Sequence, residues 1–104
     1  MIPERRRSPR VPLIAHADVT DVSSDTKLSA RVSELSLYGC YFDMINPFPF
    51  DTAVRVEILH GGKTFKSAGK VIYTQPNMGM GVAFSDVSAE NQAVLESWVQ
   101  ALEN

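Results

Sequence analysis

The sequence predicts an all-β fold, a small antiparallel barrel of five or six strands followed by one closing helix. Three observations lead to this prediction. Stretches rich in Val, Ile and Thr alternate with polar residues, as half-buried strands do. Gly, Pro and Asn separate these stretches at short intervals, and the last segment changes to helical spacing. A chain of 104 residues has room for one such domain.

The first half of the chain contains the less regular strands. Residues 11–20 (VPLIAHADVT) predict a strand with Pro12 near its start, where a strand tolerates proline. Residues 28–44 (LSARVSELSLYGCYFDM) are long and only partly alternating, and Gly39 divides them at a bulge, bend or turn. The proline-containing stretch 46–52 (NPFPFDT) then predicts a connection without regular structure.

The second half alternates more cleanly. Residues 53–59 (AVRVEIL) place apolar side chains on one face and charged side chains on the other, namely Val54, Val56 and Ile58 against Arg55 and Glu57. Gly61 and Gly62 predict a hairpin turn. The partner strand is 63–74, residues 75–77 (QPN) form the next turn, and 78–84 (MGMGVAF) form the last strand.

A helix is predicted over about residues 88–102. Ser88 is a suitable N-cap, and Glu90 places negative charge in the first turn, where the helix dipole favours it. Leu95, Trp98 and Leu102 are expected to form the buried stripe of this helix.

The composition limits the classes of function. The formal net charge is -2 and the pI is near 5.6, so a broad basic surface for nucleic acid is not expected. No run of 18 apolar residues is present, and Cys40 is the only cysteine, so we expect a cytoplasmic protein without membrane insertion. His16 and His60 have no partner at metal-ligand spacing, so no metal site and no cofactor are expected.

Positive charge is nonetheless concentrated at the start of the chain. Residues 5–10 (RRRSPR) contain four of the ten basic residues. Pro3 and Pro9 disfavour a helix here, so residues 1–10 are expected to be a flexible basic arm ahead of a barrel domain at 11–104. A guanidinium group pairs bidentately with phosphate oxygens or with the edge of guanine. The alternative is a solvated basic tail without a ligand.

A second candidate motif is ELSLYG, residues 34–39. If this stretch is an extended strand, Glu34 and Ser36 share the outer face and Leu35 and Leu37 enter the core. Gly39 would then let the chain turn or let a ligand approach closely. A carboxylate and a hydroxyl side by side are able to read the edge of a guanine. The alternative is an ordinary polar strand face that ends in a glycine turn.

Taken together, the two motifs resemble those of the PilZ domain family of bacteria. Its pattern is RxxxR followed, after roughly 20–30 residues, by (D/N)xSxxG. Here Arg6 and Arg10 match the first motif, and Ser36 and Gly39 match part of the second. The late strand GMGVAF and the helix VLESWVQAL also look like the family's, so the resemblance covers nearly the whole chain. It implies a six-stranded antiparallel barrel of PilZ type with a C-terminal helix.

The resemblance also implies a ligand, the dianionic second messenger cyclic di-GMP. Carried over residue by residue, Arg6 and Arg10 would contact phosphate and guanine, with Arg7 adding a phosphate contact. Ser36 would read a guanine edge, and Gly39 would allow the tight approach. Glu34 departs from the pattern, because the family has Asp or Asn there. The charge is kept and one methylene is added, and a misplaced bond to a charged group costs about 1–3 kcal/mol.

We considered four functional hypotheses for these residues, and two of them are disfavoured. The first is a cyclic di-GMP receptor without catalysis, whose arm orders on the ligand and which signals through an unidentified protein partner. The second is a protein-interaction module of the same family that binds the ligand weakly or not at all because of Glu34. A nucleic-acid-binding barrel is disfavoured by the acidic balance. An enzyme is disfavoured because no base, nucleophile and orienting group occur together.

Overall fold

The computed structural model describes residues 9–103 of the chain. Arg6 and Arg7 therefore lie outside the described residues. The described part contains six strands and one helix: β1 (Val11–Asp21), β2 (Thr26–Leu35), β3 (Gly39–Asp43), β4 (Ala53–His60), β5 (Lys63–Gln75), β6 (Gly79–Ser85) and α1 (Ala89–Glu103).

The six strands form a closed antiparallel barrel in the order β1-β2-β3-β6-β5-β4, with β4 pairing again with β1. The prediction of a six-stranded barrel followed by a C-terminal helix is confirmed. Pro12 is accommodated because β4 pairs with β1 only from His16 onward, so the missing N–H leaves no gap in a ladder on that side.

Alternating inward side chains from every strand fill the barrel. The predicted inward face of β4 is confirmed, since Val54, Val56 and Ile58 are buried. The largest fully buried side chains are Phe42, Phe65, Leu35, Ile58, Met80 and Leu95. Gly61 and Gly62 make the predicted tight hairpin turn, and both have positive φ (60° and 77°), as a type I′ turn requires.

The helix packs on the barrel against β1 and β5. Ser88 is its N-cap, as predicted, because its Oγ accepts the Asn91 backbone N–H at 3.2 Å. The Trp98 ring lies 6.5 Å from the Phe65 ring and 5.5 Å, edge to face, from the ring of His60.

The predicted buried stripe of the helix is wrong at one position. Leu95, Trp98 and Val99 are buried, whereas Leu102 is 38% exposed. The whole last turn, residues 101–103, is exposed, so the barrel contact of the helix ends at Val99. Helical spacing shows which face is apolar but not how far along the helix that face stays covered.

Candidate functional site

The second motif spans the end of β2, a tight turn and the start of β3. The prediction that Ser36 extends the strand is wrong, because β2 ends at Leu35 and β3 begins at Gly39. The Ser36 N–H donates to the Gly39 carbonyl at 2.9 Å, which closes the turn. The Ser36 Oγ accepts the backbone N–H groups of Tyr38 (3.1 Å) and Gly39 (3.2 Å). The serine hydroxyl therefore builds this turn, and its own proton makes only a long 3.4 Å contact with the Gly39 carbonyl.

Gly39 lies where the backbones of β3 and β6 are in close contact. A Cβ at this position would overlap the Val82 carbonyl oxygen and lie 3.3 Å from the Ala83 Cα. The obstacle is the backbone of the neighbouring strand, which cannot move aside. Glycine is therefore required here by the barrel itself.

The outward position of Glu34 depends on a register shift in β2. Val32 pairs with Phe42 and Glu34 pairs with Tyr41, so one extra residue, Ser33, lies between them on β2. Val32 and Leu35 both remain buried, and Glu34 between them points outward. The prediction that Glu34 faces outward and Leu35 inward is confirmed.

Arg10 lies next to Glu34 because the start of β1 pairs with the end of β2. Pro12 pairs with Glu34, which places the residues just ahead of β1 beside the carboxylate. Arg10 Nη1 is 3.8 Å from Glu34 Oε1, and the two side chains are 60% and 44% exposed. An exposed pair at this distance stabilises the fold by about 0–1 kcal/mol. Both groups therefore remain available to a ligand.

One open pocket brings these residues together. Arg10, Glu34, Ser36 and Gly39 all line it, so the described members of both motifs share one surface. Its other lining residues come from the end of β2, from the turn and from β3, β5 and β6: Leu35, Tyr38, Cys40, Tyr41, Ile72, Tyr73, Gly81, Val82 and Ala83.

Aromatic side chains form one wall of this pocket. The sequence favours packing of Tyr38 and Tyr41 on the barrel over stacking of one of them on a guanine, and it assigns no role to Tyr73. Tyr41 and Tyr73 stack with ring centroids 6.0 Å apart and ring planes at 30°. Burial, and then the nearby Tyr73 and Asp43, raise the pKa of Tyr41 above its usual value. Its hydroxyl is therefore protonated at neutral pH and donates to Gln75 Oε1.

Cys40 lies behind the pocket wall as a core residue. Its side chain is buried, and burial raises the pKa of the thiol far above its usual value. A thiol that stays protonated is a poor nucleophile. Cys40 is therefore a packing residue of the core and not a reactive thiol.

A second pocket on the outer face of the barrel is lined by residues of β1, β2, β4 and β5, and it combines both signs of charge. Three cationic side chains and two carboxylates line it: Lys27, Arg55, Lys66, Asp18 and Glu57. Arg55 also pairs with Asp25 at 3.2 Å. This pocket contains no residue of either motif. The described chain, residues 9–103, has no group of three potential metal ligands and no helix with the length and hydropathy needed to span a bilayer.

Comparison with known families decides what this barrel is. The sequence profile of the PilZ domain family matches residues 4–101. The chain belongs to the PilZ domain family. No curated protein sequence matches it.

Solved PilZ structures have the same fold at low sequence identity. The PilZ domain of YcgR from Escherichia coli, solved with c-di-GMP, is 19% identical with a TM-score of 0.76, and the match covers 96% of this chain and 92% of that chain. The PilZ domain of CeSA from a cellulose-synthesizing bacterium is 18% identical with a TM-score of 0.74, covering 93% and 100%. The Bacillus subtilis inhibitor of motility MotI/DgrA is 13% identical with a TM-score of 0.80. This match covers 97% of the present chain and 52% of MotI.

Proposed function

We propose that this PilZ domain is a receptor for cyclic di-GMP and has no catalytic activity of its own. One observation carries the proposal: Arg10 of the first motif lines the same open pocket as Glu34, Ser36 and Gly39 of the second motif, although the two motifs are far apart in sequence. The family and the YcgR complex support the choice of ligand. A guanidinium group beside a turn rich in hydrogen-bonding groups suits a ligand that combines phosphates with guanine edges.

In this proposal, each residue contacts the part of the ligand that suits its chemistry. Arg10 contacts phosphate or guanine together with Arg6, and Arg7 adds a further phosphate contact. Ser36 presents the hydroxyl proton that the turn leaves with only a long contact. Gly39 keeps β3 close to β6, so that the turn stands at the edge of the pocket. Glu34 accepts from guanine in place of the family's Asp or Asn.

The arm is proposed to supply the signal. Residues 1–10 would order across the pocket when the ligand neutralises their arginines, and the new surface would meet a protein partner. Amide hydrogen exchange of residues 4–10 should slow when the protein is saturated with cyclic di-GMP. Unchanged exchange at saturation would refute arm ordering and leave ligand binding untouched.

A second candidate function rests on the contact between Arg10 and Glu34. The two residues proposed to hold the ligand lie 3.8 Å apart and partly neutralise each other. Binding must break this contact, so a weakly binding protein-interaction module is the alternative.

Whichever of the two functions holds, we place the protein in the cytoplasm, because the lone buried thiol of Cys40 suits a reducing compartment.

Calorimetric titration with cyclic di-GMP tests the receptor proposal. The wild-type protein should bind, and Arg10→Ala should lose most of the affinity. Arg55→Ala is a matched control, because Arg55 is similarly exposed (56%) but lies outside the pocket. The titration also gives the number of ligands per site. Absence of binding to folded wild-type protein would favour the interaction module.

A further inference from the structure

We propose that Tyr41 and Tyr73 form a stacking surface for a planar aromatic ring, which on the proposed function is a guanine base of the bound dinucleotide. The inference rests on that function for the identity of the ligand. It rests on the geometry of β3, β5 and β6 for the surface itself. Neither tyrosine belongs to the two motifs that relate the chain to its family.

Two glycines of β6 let the tyrosine rings lie flat on the sheet. A Cβ at Gly81 would lie 2.5 Å from Cε2 and 2.6 Å from Cζ of Tyr73. A Cβ at Gly79 would overlap the Phe42 carbonyl oxygen of β3 and would also lie 2.8 Å from Cε2 of Tyr41. Each ring therefore occupies the space that a side chain on β6 would take. The result is a flat aromatic surface over the β6 backbone.

A bulge in β5 turns Tyr73 onto this surface. Val71 pairs with Val82 and Tyr73 pairs with Gly81, so Ile72 is the extra residue on β5. Strict alternation from the buried Val71 would have directed Tyr73 into the core. Because of the bulge, Ile72 and Tyr73 are both exposed, and Tyr73 retains 41% of its surface in solvent.

The two rings differ in how firmly they are held. Tyr41 is anchored by its hydrogen bond to Gln75 and pairs with Gly81 across the β3–β6 ladder. Tyr73 lies beside Tyr41, and the planes of the two rings are inclined to each other by only 30°. A base placed on Tyr73 would therefore meet an almost preformed surface, which lowers the entropy cost of binding.

This surface lies beside the groups that would recognise the rest of the ligand. Tyr41 and Tyr73 line the same pocket as Arg10 and the Ser36–Gly39 turn. Stacking on a tyrosine face is available to any purine, whereas the turn and the arginine read its edges and the phosphates. The aromatic surface would thus provide affinity while the motif residues provide selectivity.

A purely structural role makes a different prediction. Aromatic rings laid over strand glycines also stabilise sheets without any ligand. In that case, replacing Tyr73 would lower the stability of the barrel and leave the affinity of the folded protein unchanged. The two roles are therefore separated by measuring folding and binding on the same variants.

The experiment is calorimetric titration of cyclic di-GMP into Tyr73→Ala, Tyr73→Phe and Gly81→Ala. We expect Tyr73→Ala to bind more weakly by on the order of tenfold. Tyr73→Phe should keep most of the wild-type affinity, because the aromatic ring remains. Gly81→Ala should also weaken binding, because its methyl group displaces the Tyr73 ring. Phe50→Ala is the control, since Phe50 is exposed (66%) and lies in the loop between β3 and β4.

NMR of the bound ligand provides a readout that does not depend on a variant. The base protons should shift upfield on binding to wild-type protein, because a stacked ring lies over them. Wild-type binding without this shift, or full affinity in folded Tyr73→Ala, would overturn the stacking surface and leave the receptor function standing. Failure of wild-type protein to bind at all would overturn the receptor function, and the base-stacking inference with it.

Discussion

At the scale of single residues, the turn between β2 and β3 serves the fold before it serves any ligand. The Ser36 hydroxyl satisfies two backbone N–H groups, and Gly39 lets two strands approach. The motif spacing predicted that both residues belong to one site, and both line the pocket. It did not show that they form a turn, because the alternation of polar and apolar residues through ELSLYG is the same pattern that a strand has.

The first prediction concerns Gly39. Gly39→Ala should destabilise the barrel by about 3 kcal/mol, because the added methyl group meets the β6 backbone at Val82. Urea denaturation followed by circular dichroism measures this loss. Gly81→Ala is the comparison, because a methyl group there meets only the movable Tyr73 ring. An equal loss in the two variants would show that the close approach at Gly39 is not the cause.

The second prediction concerns Glu34. Glu34→Asp should tighten cyclic di-GMP binding about tenfold, because a shorter carboxylate withdraws from Arg10 and matches the family pattern. Stability should change little, since the contact between these exposed groups is weak. Titration calorimetry measures the affinity, with Glu57→Asp as a control outside this pocket. Equal or weaker binding by Glu34→Asp would show that the contact between Arg10 and Glu34 does not limit affinity.

At the scale of elements, two register shifts decide which side chains reach the pocket. The shift at Ser33 turns Glu34 outward, and the shift at Ile72 turns Tyr73 outward. The sequence predicted the existence and the order of the strands, because alternation and turn residues are local signals. It could not predict the bulges, because an extra residue in a ladder depends on which strand lies opposite. Tyr73 was therefore missed. The sequence feature that could have indicated this aromatic surface is the pair of glycines in GMG, which leave space on β6 for neighbouring rings.

The third prediction concerns the helix. Ser88→Ala should lower the free energy of unfolding by about 1 kcal/mol, because the Asn91 N–H loses its acceptor. Thermal and urea denaturation measure the change. Ser97→Ala is a matched control in the same helix, because the Ser97 hydroxyl only donates to the Val94 carbonyl one turn back. Equal stability of Ser88→Ala and wild type would show that the cap contributes nothing to the fold.

At the scale of the whole molecule, closure of the sheet leaves a rigid support with a recognition surface on one side. In the described barrel every strand pairs with two neighbours, so we expect its contacts with other molecules to use mainly side chains and loops. The slightly acidic chain carries its arginine cluster at one end of the sequence, and Arg10 of that cluster lies at the pocket. A cation cluster on an otherwise acidic chain favours a small anion that is held locally, and this pocket places Arg10 beside the hydrogen-bonding groups of the turn.

The measurement that tests the central claim most directly is a titration of ¹⁵N-labelled protein with cyclic di-GMP, followed by amide chemical shifts. We expect the largest changes at Ser36, at residues 38–41 and at Tyr73 and Gly81, which line the pocket. The chemical shifts of amides in the mixed-charge pocket, such as those of Thr20 and Lys27, should not change. Unchanged spectra at saturating ligand, or changes confined to the mixed-charge pocket, would contradict binding of cyclic di-GMP at the pocket beside Arg10.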